Sequence, residues 1–171
     1  MSGAGPGPRR PRSSRGPVAL SWSLALLVVL LDQGSKLWAL SRLPAGEVVP
    51  LWPALLQLRR VSNTGAAFSL FTGSTPALGL VSLAVAVGIS LLLVRRPPTL
   101  VLPALALGFL LGGAVGNGLD RWRLGAVIDF LEFMPVPFPV FNVADVAINL
   151  AVLCFALDAL AGLRREDSRD A

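Results

Sequence analysis

Apolar and polar positions along this chain alternate on a scale of tens of residues. Long uncharged stretches are separated by short segments in which the charges collect. One stretch begins at Pro17 and continues with helical character through Asp32 and Lys36 to Leu40. Three more cover residues 74–94, 99–119 and 141–163. A helix needs about 20 apolar residues to cross a hydrocarbon core of about 30 Å, and each stretch meets that length. The pattern therefore predicts an all-α membrane protein with four transmembrane helices and with both termini on one side. Residues 1–16 are rich in Gly, Pro, Ser and Arg, have no apolar period, and read as a disordered basic tail. Residues 17–164 then form the membrane domain and 165–171 a second tail. The basic leader before an apolar run also fits a cleaved signal peptide. No small-residue cleavage site follows it cleanly, so it reads as a retained first helix.

Two long connections remain, residues 41–73 and 120–140. In the first, Val48-Val49-Pro50-Leu51 and Leu55-Leu56-Gln57-Leu58 with Arg59-Arg60-Val61 are too short to span a membrane and suggest short strands or a platform on its surface. In the third span Gly108, Gly112 and Gly116 recur every four residues with Gly113 beside them, a groove that lets another helix approach closely.

Composition supports the membrane and narrows the chemistry. Hydrophobic residues make up 54% of the chain and charged residues 15%. With a mean hydropathy of +0.69, that is more apolar surface than a soluble domain of this size can hide. There is one cysteine, Cys154, and no histidine, which excludes a disulfide framework, a histidine base and any ordinary zinc site. The basic residues sit at segment ends and read as topology signals, with no nucleic-acid partner implied. Nine Lys or Arg lie on the side of the termini and of Arg95-Arg96, against five (Arg42, Arg59, Arg60, Arg121, Arg123) on the other. That bias predicts cytoplasmic termini and extracytoplasmic long loops.

Acidic and amide side chains cluster near the outer edge of the spans: Asp32-Gln33 with Lys36, Asn63, Asn117 with Asp120-Arg121, Asp129, and Asn142 with Asp145. A carboxylate inside a span costs about 2.5–3.5 kcal/mol at the centre and needs a partner or a purpose. Asp32 and Lys36 share a helix face and can neutralise each other. Asp120-Arg121 reads as an ion pair at a helix end, and Glu47 and Glu132 as solvated loop charges. Asp129 and Asp145 lack such partners in sequence. If Asn142 caps the fourth helix, Asp145 falls in its first turn, where free N–H groups favour an anion. A second carboxylate in an apolar setting favours its protonated form, and two such aspartates can serve as base and acid in peptide hydrolysis without metal or cofactor.

Several blocks, in order, resemble the bacterial lipoprotein signal peptidases (signal peptidase II): Asp32-Gln33-Gly34-Ser35-Lys36, Asn63-Thr64-Gly65-Ala66-Ala67-Phe68, Gly112-Gly113-Ala114-Val115-Gly116-Asn117 running into Asp120-Arg121, Val127-Ile128-Asp129-Phe130, and Phe141-Asn142-Val143-Ala144-Asp145. The resemblance implies an intramembrane aspartyl endopeptidase of the bacterial cytoplasmic (inner) membrane, with an extracytoplasmic cradle of short strands. It implies prolipoprotein substrates carrying a diacylglyceryl cysteine, cut just before that cysteine, and a monomer whose other partners are membrane lipids. Its catalytic aspartates fall on Asp129 and Asp145, and its substrate-site residues on Asp32, Lys36, Asn63, Asn117, Arg121 and Asn142. The rival readings are a small cation or proton transporter, which would place its acids nearer the midplane, and a structural subunit, which leaves the carboxylates unexplained.

Overall fold

The computed structural model describes residues 14–65 and 74–170. Most of the basic N-terminal tail and the Ala66-Ala67-Phe68 part of one sequence block lie outside the described residues. In chain order the elements are α1 (Arg15–Arg42), β1 (Val48–Trp52), β2 (Leu56–Asn63), α2 (Thr75–Arg95), α3 (Val101–Leu124), β3 (Val127–Phe133) and α4 (Val143–Asp170). All four helices are long and apolar enough to cross a membrane, α4 over Val143–Leu163. The helical stretches fall where the hydropathy pattern places them, with shifts at their ends; α4 continues past residue 163 to Asp170, through the stretch expected as a tail. The first helix begins at Arg15, two residues ahead of the expected start. The third continues five residues beyond Leu119, so Asp120, Arg121 and Arg123 stand on helix and not in a loop. Polarity marks the exit from lipid, but a helix stops only where its backbone is interrupted. Here that is Gly125, which ends α3 in the left-handed conformation (φ 71°).

α3 is the central element. The other three helices pack on it, while α2 barely touches α1 or α4. Small residues explain how the neighbours come so close. A Cβ added at Gly108 would lie 2.8 Å from the Ser21 carbonyl oxygen, and one at Gly112 2.6 Å from Cβ of Val28, both on α1. On another face, a Cβ at Gly113 would lie 2.7 Å from the Ala144 carbonyl oxygen of α4. The buried Ser21 hydroxyl donates across the α1–α3 seam to the Ala104 carbonyl at 2.8 Å. Lipid drives no hydrophobic association between helices, so such close approach and interhelical bonding carry the packing.

The extramembrane strands form one antiparallel sheet in the order β1-β2-β3. β1 is fully exposed and carries Pro50, in keeping with an edge strand that need not donate at every position. β3 pairs with β2 in a register that sets Asp129 opposite Val61 and Val127 opposite Asn63. Along its other edge, the backbone N–H groups of Phe130 and Leu131 both donate to the Phe141 carbonyl, at 3.0 and 2.9 Å. This stitch holds Phe141, two residues before α4, against the strand that carries Asp129. Ala39 of α1, Leu43 just after it, Leu58 of β2 and Phe130 of β3 form an apolar cluster that fixes the sheet to the helices. Glu132 is not a solvated loop charge: it lies on β3, accepts from Gln57 at 2.7 Å and pairs with Arg59.

The close α1–α3 contact has a direct test. Gly112→Ala adds a methyl group against Val28 and should lower stability by about 1–3 kcal/mol. Gly88→Ala, where a Cβ meets nothing within 4 Å, should leave stability unchanged or raise it, since alanine favours helix. Thermal unfolding in detergent micelles distinguishes the two.

Candidate active site

Lys36 is almost wholly buried, 2% exposed. Its ammonium lies 2.8 Å from Asp32 Oδ2 one helical turn away and 2.8 Å from Asp120 Oδ2 on α3. Its third donor reaches Asn117 Oδ1 at 3.0 Å, so all three are used. The two carboxylates are satisfied as well. Asp32 Oδ1 accepts the Ala144 N–H at 3.0 Å, in the first turn of α4, and Asp120 Oδ2 accepts the Ile128 N–H at 3.2 Å. Gln33 Nε2 lies 3.1 Å from Asp32 Oδ2 and 3.0 Å from Asp120 Oδ1. This one cluster therefore ties together α1, α3, the start of β3 and the start of α4. Asp120 is not paired with Arg121. Successive helical residues point about 100° apart, whereas Asp120 and Asn117, three apart, share the face turned to Lys36.

A chain of amides carries this order to the two remaining aspartates. Lys36 can only donate, so Asn117 must present Oδ1 to it and turn Nδ2 the other way, where it donates to Asp145 Oδ1 at 2.8 Å. Asn142, fully buried, donates from Nδ2 both to Asn117 Oδ1 at 3.1 Å and to Asp129 Oδ1 at 2.6 Å. Its Oδ1 accepts the Asp145 N–H at 3.0 Å, and its own N–H donates to Asp145 Oδ2 at 3.1 Å. That reciprocal pair is a capping box, and it places Asp145 in the first turn of α4 as the Asn142–Asp145 spacing predicts. Asn63 completes the set. Its Oδ1 is held by the Gly65 N–H, so Nδ2 faces Asp129 Oδ2 at 3.0 Å. Asn142 thus touches both aspartates, and each aspartate accepts at both oxygens.

Asn63, Asn117, Arg121, Asp129 and Asp145 line the polar end of a cavity of about 800 Å³. The cavity extends between α2 and α4 over apolar walls that include Val81, Val85, Leu110, Ile148 and Leu153. Arg121 donates to the Gly65 carbonyl at 3.2 Å and the Asn117 carbonyl at 3.4 Å, while its Nε is buried with no partner among the described residues. Asp129, on the strand, is 2% exposed. Burial pushes its carboxyl up from 3.8 to about 7. The nearby charge of Asp145 adds to this, while the bonds from Asn63 and Asn142 and the charge of Lys36 oppose it. At neutral pH this group is poised to hold or release a proton.

The family profile described as signal peptidase (SPase) II matches residues 24–161, which contain every one of these residues. The chain belongs to the signal peptidase II family. It is 56% identical over 135 residues to the lipoprotein signal peptidase of Parasynechococcus marenigrum, covering 79% of this chain and 85% of that one. It is 45% identical over 148 residues to the lipoprotein signal peptidase of Gloeobacter violaceus, covering 86% of this chain and 83% of the relative. A bacterial membrane enzyme solved in meso at 2.3 Å has the same fold, with a TM-score of 0.78 at 24% identity over 84% of this chain and 88% of the other.

Within this signal peptidase II chain the residues expected in the site separate into two layers. Asn63, Asn117, Arg121, Asp129 and Asp145 reach the cavity. Asp32, Lys36 and Asn142, expected from the resemblance among the substrate-site residues, are buried behind it and act on the cavity through others. Gln33 and Asp120 belong to the same supporting layer. Gln33 and Asp120 both stand in blocks that carry the family resemblance, and Asp120 also lies three residues from Asn117 on one helix face.

Lys36→Met would leave two buried carboxylates sharing no cation. It should destabilise the protein by about 3–5 kcal/mol, measured by chemical unfolding in detergent. Lys36→Met combined with Asp32→Asn and Asp120→Asn should recover most of that loss.

Proposed function

We propose that this chain is an intramembrane aspartyl endopeptidase that removes the signal peptide from prolipoproteins carrying a diacylglyceryl cysteine, cutting just before that cysteine. Both termini lie in the cytoplasm and the sheet outside it, in keeping with the excess of Lys and Arg on the side of the termini. The observation that carries the reading is the pair Asp129 and Asp145, joined through Asn142 at the polar end of a cavity whose remaining walls are apolar. Family membership adds to it, since the relatives named above are lipoprotein signal peptidases. A cavity open between two spans suits a substrate that arrives within the membrane. Its apolar length suits acyl chains and its polar end an extended backbone.

In the proposed reaction Asp145 is the base. It stands in the first turn of α4, where the helix N-terminus favours an anion. It takes a proton from a water molecule as the water oxygen bonds to the scissile carbonyl carbon. Asp129 gives its proton to the carbonyl oxygen, so the tetrahedral intermediate forms without net charge. The C–N bond then breaks, the proton taken by Asp145 passes to the leaving nitrogen, and a proton of the diol returns to Asp129. Products are a carboxyl end on the signal peptide and an amino end on the lipidated cysteine. Arg121 and Asn63, at the cavity, are suited to hold substrate carbonyls beside the dyad.

The test is cleavage of a diacylglyceryl prolipoprotein by the purified protein in micelles, followed by gel shift. Asp129→Asn and Asp145→Asn should each lower kcat by at least about 100-fold. Full-rate cleavage by either variant would sink the dyad, and loss of cleavage confined to Asp120→Asn would move catalysis to that residue. Because Asp129 must hold its proton to donate it, kcat/KM should decline as pH rises through about 7.

A further inference from the structure

Because α2 packs on α3 and barely on its other neighbours, a cleft opens on each side of it. One is the cavity of the dyad. The other, of about 540 Å³, lies between α1 and α2 over α3, with Trp22 and Val29 on one wall, Val87 and Val94 on the other, and Leu111 and Gly112 in its floor. No charged side chain lines it. Its lining runs from Trp22 to Val29 on α1 and from Ala86 to Val94 on α2, spans of about 10 and 12 Å at the rise of a helix. That is close to the thickness of one leaflet of hydrocarbon. The groove occupies the half of the helices nearest the start of α1 and the end of α2, away from the sheet and the dyad. Water entering it would find little to bond with, so within a membrane a hydrocarbon chain suits it better than water.

Charge at its mouth narrows the occupant. Val94 closes one end of the groove, and the next two residues are Arg95 and Arg96, both exposed and without an ion-pair partner among the described residues. Arg95 ends α2 and Arg96 opens the tight turn to α3, next to the end of the groove. Trp22, 41% exposed, sits on the opposite wall, the type of side chain that settles at headgroup level. We propose that this groove is a binding site for an anionic membrane phospholipid, with an acyl chain between α1 and α2 and the phosphate against Arg95 and Arg96. The site is separate from the catalytic cavity and independent of the reaction assigned to it.

Trp22 reports on the site directly. The full chain with Trp38→Phe, Trp52→Phe and Trp122→Phe is reconstituted in phosphatidylcholine vesicles containing increasing fractions of phosphatidylglycerol with brominated acyl chains, or of brominated phosphatidylcholine. The anionic lipid should quench Trp22 with at least about fivefold higher relative affinity, the attraction expected of one arginine near a membrane surface. That preference should shrink at about 1 M salt, where screening is strong, and disappear in Arg95→Gln/Arg96→Gln. Ser90→Phe, which fills the groove without altering any charge, should reduce quenching by both lipids. Equal quenching by the two lipids would overturn the proposal, as would a preference that survives both salt and the arginine replacements. Absence of quenching by either lipid would also overturn it and would mean that another polypeptide covers the groove.

Discussion

A lysine held between two aspartates is the interaction on which this structure turns. Lys36 bonds Asp32 and Asp120 at 2.8 Å each and Asn117 at 3.0 Å, all out of reach of water. Such a charge is tolerated at the edge of a membrane only with every donor used and every counter-charge in place. The cluster joins α1 to α3 and, through the Ala144 and Ile128 N–H groups, to the first residues of α4 and β3. Because an ammonium has no acceptor, it also fixes which way the amide of Asn117 faces. Orientation then passes through Asn117 and Asn142 to the oxygens of Asp145 and Asp129. Two aspartates on different elements, a strand and a helix, thereby have one shared frame.

Close helix packing is the other half of that frame. A Cβ at Gly116 would lie 2.6 Å from Asp32 Oδ2, so only glycine at that position lets the α1 carboxylate reach its partners. Crowding α1 and α4 onto α3 leaves α2 supported on a single face. The two clefts beside α2 follow from that asymmetry. One meets the dyad and the other meets the arginine turn, so a single weakly attached helix borders both.

The four spans were legible because a membrane leaves a coarse signal: long uncharged runs and charges at their ends. The short strands were legible as runs too brief to span, and their pairing was not, since register depends on contacts such as Val61 with Asp129 that lie far apart in sequence. Asp129 and Asp145 stood out by lacking a basic neighbour, and the Asn142–Asp145 spacing correctly announced the cap. What remained hidden was depth. Asp32 and Lys36 read equally as ion pair and as site, and the fold makes them the buried support of the cavity. Asp120 read as the partner of Arg121 because they are adjacent. Only the continuation of α3 past Leu119 shows that the helix turns Asp120 inward and Arg121 to the cavity.

The proposed chemistry requires one carboxyl of the pair to carry a proton near neutrality. Infrared spectroscopy of the protein in micelles, titrated from pH 5.5 to 8.5, reads that proton directly through the C=O stretch of a protonated carboxyl group. Such a band should be present, fading with a midpoint near 7 and missing from Asp129→Asn. A band of unchanged amplitude in Asp129→Asn, or none at pH 5.5 in the native protein, would contradict it.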